Sequence, residues 1–156
     1  MTLEYLKEFS SIYHHKFLVL SYLNTIIKDL IERAEKHDNS KFSEDEFPGL
    51  VAAMDDISRY PYGTPEYDEM RTKHASTFQK HYNKNRHHPE HWKNGIEDMD
   101  LIDLVEMLCD WKASTSRMKD GDLARSIEMN AERFGYGEEF KTLLTNTARE
   151  LGMIGD

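Results

Sequence analysis

Between residues 3 and 31 the apolar side chains Leu3, Leu6, Phe9, Ile12, Tyr13, Phe17, Leu20, Leu23, Ile27, Leu30 and Ile31 recur at three- and four-residue steps. Only an α-helix turns such a spacing into one apolar face, so the first 35 or so residues must form a long amphipathic helix. The rest of the chain reads the same way. Ser43 to Glu46, "SEDE", has the capping-box pattern that opens a helix, with Pro48 tolerated in the first turn. Thr64 and Pro65 read as an N-cap and first helical residue of a helix running to about Asn83. That helix carries His74 and His81 on one face, because seven residues is close to two turns. Asp100 caps "LIDLVEMLCDWKASTSRM", and two shorter helices follow, at about 122–134 and 138–151, around "GYG". No segment alternates with period two and no repeat or long linker interrupts the chain. The expected fold is all-α, a single helical-bundle domain over residues 1–156.

Composition narrows the function classes. A formal net charge of -9 disfavours binding to a long nucleic-acid backbone, which runs on Lys and Arg neutralising phosphates. No run approaches the 18 apolar residues of a membrane span, and "MTLEYLKEFSSIYHHKF" has charges where a signal peptide would have an apolar core. Cys109 is the single cysteine, so no intrachain disulfide forms, which fits a reducing cytoplasm. The charge is uneven. Arg71, Lys73, Lys80, Lys84, Arg86 and Lys93 face only Glu90 between residues 71 and 93, while residues 97–110 carry Glu97, Asp98, Asp100, Asp103, Glu106 and Asp110 with no base. These are either two solvated faces or an anion-docking patch beside a cation-binding one.

Three stretches carry chemistry. "HYNKNRHHPEHW", residues 81–92, concentrates four of the eight histidines, and clustered imidazole with carboxylates elsewhere is the usual signature of a metal site. "KHDNSKF" sets His37 beside Asp38 where the first helix ends; adjacent residues can share an ion only where the backbone turns. "DLVEMLCDW" stacks Asp103, Glu106 and Asp110 at i, i+3 and i+7 on a helix whose Leu104, Val105, Leu108 and Trp111 are apolar. Carboxylates buried there need a base or a cation. His15 precedes His37 by 22 residues, about 33 Å along a straight helix, so the two share a site only if the chain breaks between them, at "LNTIIKDL" or "ERAEK". Trp92 and Trp111 read as core, and Tyr60, Tyr62 and Tyr67 as loop-shaping residues.

The order His15, His37–Asp38, Asp110 resembles the HD superfamily of all-helical, metal-dependent phosphohydrolases. In that superfamily an N-terminal His, the His-Asp pair and a distant Asp hold one divalent ion. Members with two metals insert further histidines between the pair and the last Asp, and use the Asp of the pair as a bridge. The resemblance implies His15, His37, Asp38, His81, His88 and Asp110 as ligands, with His87 in place of His88 and Glu106 as further candidates. His14 and His15 point about 100° apart, so one of them can serve; the "KFLV" that follows favours His15. "HDNSKF" and "HHPEHW" also look like a small family of uncharacterised bacterial and phage proteins, over residues 14–111. The chain departs from the superfamily in its short Asp38–His81 and His81–His88 spacings, and in having Lys41 where single-metal nucleotidases often carry Glu. A Lys three positions after the Asp matches the two-metal subgroup.

The function implied is a phosphohydrolase that takes one or two Mn, Fe, Co, Ni or Zn ions and acts on a nucleotide or other small phosphorylated metabolite. Asp38, Lys41 and Arg86 would be catalytic, with Lys41, Lys84, Arg86 and His91 binding substrate. The alternatives are an HD-type di-iron oxygenase, or a non-catalytic metal- or nucleotide-binding module. A cytoplasmic setting is expected, with no membrane partner and homo-oligomerisation left open.

Overall fold

A computed structural model describes residues 2–61, 63–118 and 121–155, so Tyr62 lies outside the described residues. They form seven α-helices and three short 3₁₀ turns, with no strand among them. The all-α expectation holds. By contacts within the chain, two compact units are distinguished, Met1–His37 and Asp38–Asp156.

The first unit is a single helix, α1 (Leu3–Lys36). Thr2 opens it, its hydroxyl accepting the Tyr5 N–H at 3.3 Å. His37 ends it with φ -47 and ψ 125, outside the helical region. The break expected between His15 and His37 is absent: α1 is continuous. His15, on its exposed surface, therefore lies about 33 Å along the helix from His37, and the two cannot ligate one ion in the same chain.

The second unit begins at Asp38, the described residue other than glycine with positive φ (57). Left-handed backbone costs a non-glycine residue of order 1–2 kcal/mol, least for Asp and Asn. It reverses the chain into a 3₁₀ turn, Asn39–Phe42. Then come α2 (Phe47–Ile57), α3 (Pro65–Lys73), α4 (Ala75–Lys84), 3₁₀ turns at Pro89–His91 and Gly95–Asp98, α5 (Leu101–Ser116), α6 (Leu123–Phe134) and α7 (Glu138–Glu150).

Two local expectations change. The Ser43 hydroxyl accepts the Glu46 N–H at 3.3 Å, as a capping box requires, but α2 starts only at Phe47. The Glu46 side chain does not complete the box; it turns inward to Ser40 and His81. The helix drawn from Pro65 to Asn83 is two helices that meet at His74 (φ -100, ψ 16). The His74 ring binds Asp56 Oδ2 at 2.8 Å, so His74 ties α2 to the α3–α4 junction and does not share a face with His81.

Asp100 caps α5 as expected. It accepts the N–H groups of Ile102 and Asp103, and Asp103 reaches back to the Asp100 N–H. The core lies under this helix, where Met107, Leu108 and Trp111 pack with Leu123, Ile127, Leu144 and Ala148 of α6 and α7. Gly121 leads into α6 because any Cβ there would stand 1.8 Å from the Thr115 carbonyl oxygen. Gly135, at φ 71, ends α6 in the left-handed conformation glycine adopts without penalty.

Leu144 is 2% exposed at the centre of this core. Leu144→Ala is expected to cost about 2–5 kcal/mol of unfolding free energy through lost burial and the cavity left behind. Urea denaturation measures it, and a loss under about 1 kcal/mol would mean that α7 does not close the core.

Candidate metal centre

The site within the second unit is assembled by three turns. Left-handed backbone at Asp38 swings that carboxylate inward, α4 presents His81 from its last turn, and a tight turn closed by the His88 N–H on the Asn85 carbonyl (3.3 Å) delivers His87 and His88. His81 and His87 are each 2% exposed. One ligand atom from each of Asp38, His81, His87 and His88 lies within 4.8 Å of all the others.

The shorter separations identify the atoms. His81 Nε2 is 3.0 Å from His88 Nε2 and 3.1 Å from Asp38 Oδ1, and His87 Nε2 is 3.6 Å from the same oxygen. The edge of a tetrahedron with metal–ligand arms near 2.1 Å is about 3.4 Å, and these separations bracket it.

The outer atoms of the rings explain why the inner ones converge. His81 Nδ1 lies 3.0 Å from Glu46 Oε2, and His87 Nδ1 lies 3.1 Å from Glu106 Oε1. A carboxylate beside Nδ1 fixes the ring's orientation and leaves Nε2 facing the centre. This is how ligating histidines are oriented. Two imidazole nitrogens then point with a carboxylate oxygen into one small volume, a costly arrangement unless a cation sits among them. The residues fit a divalent ion bound through nitrogen and oxygen.

The neighbouring charges are fixed by partners. Burial, followed by the adjacent His87 and His81 rings, pushes His88 down to about 3, against the opposing pull of Asp110 and Asp38. Glu46 is 1% exposed. Burial alone would raise its pKa, but hydrogen bonds from Lys84, His81 and Ser40 outweigh that and hold it below the usual range. Lys84 also pairs with Asp45 Oδ2 at 3.0 Å, and both carboxylates hold its pKa up. Lys41 Nζ lies 2.5 Å from Asp38 Oδ2, on the oxygen opposite the one facing the histidines.

Other expected residues find different places. Both His87 and His88 enter the cluster, where one of the two was expected. Glu106 orients His87, and a carboxylate oxygen of Asp110 lies within 4.8 Å of one of Asp38. His37 is the last residue of the first unit, one peptide bond before Asp38. Arg86, expected to face a phosphoryl group, directs its guanidinium at Asp103 (Nε to Oδ1, 2.7 Å; Nη2 to Oδ2, 2.9 Å) and at Asp100. It also stacks 5.0 Å over Trp92. Asp103 thus has the base partner that the sequence left as the alternative to a cation. His91 Nδ1 bonds the Tyr82 carbonyl at 2.8 Å, Trp92 donates to the Arg86 carbonyl at 2.8 Å, and Glu90 pairs with Arg133 of α6. In "HHPEHW", then, the first two histidines serve the site and the other polar side chains fix the loop that carries them.

Sequence reasoning missed Glu46, Ser40 and Asn85. Asn85 Nδ2 bonds Ser40 Oγ at 2.8 Å and the His81 carbonyl at 2.8 Å, buttressing the His81 ring. Glu46 had read only as a capping residue, and nothing local distinguishes a cap that points outward from one that turns in.

A family model described as a family of unknown function, DUF5662, matches residues 4–154. No curated protein matches the chain, and no solved structure does. The family match spans nearly the whole chain, which therefore belongs to DUF5662.

Proposed function

We propose that this DUF5662 chain is a divalent-metal enzyme that hydrolyses a phosphate ester of a nucleotide or other small metabolite. The observation that carries the reading is the convergence of His81 Nε2, His87 Nε2, His88 Nε2 and Asp38 Oδ1, with Glu46 and Glu106 behind two of the rings. The likeness of His37–Asp38 and Asp110 to the HD motifs supports the same reading and makes His37 and Asp110 further ligand candidates. Nitrogen and oxygen donors with no thiolate in the set suit Mn, Fe, Co, Ni or Zn. A bound ion of this kind lowers the pKa of water and supplies a nucleophile at neutral pH.

The chain's own residues do the rest. Asp38 divides its carboxylate between the ligand cluster and Lys41, so Lys41 is placed beside the metal position. Its side chain is 38% exposed and can swing to an incoming phosphoryl oxygen, offsetting charge as the ester bond breaks. Lys84 holds Glu46, and through it the His81 ring. Arg86 acts as a positioning residue, clamping the His87–His88 segment to α5 through Asp103. No described helix is long and apolar enough to cross a membrane. A cytoplasmic setting with a small phosphorylated substrate is part of the proposal.

The test is phosphate or p-nitrophenol release from p-nitrophenyl phosphate, its bis ester and a panel of nucleotides, after loading separately with Mn, Co, Ni and Fe. Metal-dependent turnover that falls on the order of 100-fold or more in Asp38→Asn is expected. Metal uptake without turnover on any substrate would leave a binding module. Two irons with oxygen consumption would replace hydrolysis by an oxygenase.

A further inference from the structure

We propose that the apolar face of α1 is a dimerisation surface whose occupant is the same face of a second copy of this chain. No described residue of α1 is buried. Leu6, Phe9, Tyr13, Leu20, Leu23 and Ile27 are 44%, 60%, 63%, 53%, 52% and 52% exposed. Helices in proteins owe most of their stability to packing of an amphipathic face, and monomers rarely expose apolar patches beyond about 300–600 Å².

The spacing says what kind of surface covers it. Residues 6, 9, 13, 16, 20, 23, 27 and 30 alternate three- and four-residue steps through four heptads, and each is apolar except Lys16. A 3.5-residue repeat sustained that long is the seam of helix against helix, because only another helix keeps such a repeat in contact along its length. Ile12, Phe17 and Val19 widen the seam at its flanks.

The area is sufficient. Burying side chains of this size removes on the order of 100 Å² each from water, so eight or nine give roughly 800 Å² per copy, the amount a stable interface requires. A self-complementary stripe pairs across a two-fold axis, where each copy offers the same residues. His14 and His15 lie on the opposite side of the helix wheel from the stripe, so pairing leaves both outside the seam. The proposal stands apart from the metal centre.

Sedimentation velocity on the full chain tests it, one chain weighing 18.3 kDa. Twice that mass is expected at tens of micromolar, dissociating on dilution. Leu20→Glu with Ile27→Glu should give a monomer that still binds metal. Lys16→Leu removes the polar residue from the seam and should tighten the dimer about tenfold or more, since a lone polar seam residue costs stability. Hydrogen exchange of the unmutated protein provides a check independent of refolding: protection of α1 should fall as the dimer dissociates. A monomer at 100 µM (about the upper end of such an experiment), a dimer indifferent to Lys16→Leu, or α1 protection independent of concentration would each overturn the proposal.

Discussion

Arg86→Ala is expected to lower the unfolding free energy by about 2–4 kcal/mol, among the largest single-residue effects in the second unit. Asp103 has no exposed surface, and it receives two hydrogen bonds from the guanidinium, at 2.7 and 2.9 Å. Removing the guanidinium takes two charge-assisted hydrogen bonds from a buried carboxylate that also accepts the Asp100 N–H of the capping box. Breaking a fully buried pair costs about 3–5 kcal/mol, and the half-exposed Arg86 side chain brings the expectation somewhat lower. The cation–π contact with Trp92 disappears too. Urea denaturation at neutral pH measures the loss. Unchanged stability with abolished turnover would return Arg86 to the role the sequence assigned it, a direct contact to substrate.

His88→Ala should cost little without metal and most of the metal-induced stabilisation with it. The His81 and His88 Nε2 atoms lie 3.0 Å apart, a hydrogen bond between the two rings, beside the Asp38 carboxylate. Loss of the ring removes that hydrogen bond, and stability without metal should fall by only about 1 kcal/mol. With metal at a hundred times its Kd, the unmutated chain gains about 2.7 kcal/mol, which for a domain of this size is roughly 5–10 °C in Tm. The variant should forfeit most of that gain. Thermal denaturation with and without Mn, Co, Ni or Zn reads both halves. Equal metal-induced shifts in the two proteins would remove His88 from the ligand set.

The helices were legible because their causes are local. Apolar spacing predicted α1 to within a residue or two, and Thr64 and Asp100 each cap the helix that their sequence neighbours suggested. The break at His74 was not legible, because what captures its ring is Asp56, 18 positions earlier on another helix. Part of the cluster was legible: the resemblance implied Asp38, His81 and His88 as ligands, and one donor atom of each lies within 4.8 Å of the others. The sequence offered His87 and His88 as alternatives, and nothing in it distinguished them. The chain there is a tight turn, closed by the His88 N–H on the Asn85 carbonyl, and its contacts, Arg86 to Asp103 and Trp92 to the Arg86 carbonyl, hold it so that both rings join the cluster. Glu46 became a partner of His81 only when the fold brought together positions 35 residues apart. His15 was proposed on the condition that the first helix broke, and that helix is continuous.

The most direct test of the metal centre is elemental analysis of untagged protein purified without chelator, repeated on His81→Ala and Asp38→Asn. The geometry predicts at least one transition-metal equivalent per chain, lost in both variants while their helical content is kept. A folded chain that carries no metal, and takes up no Mn, Fe, Co, Ni or Zn on equilibrium dialysis, would contradict the centre and every catalytic role built on it.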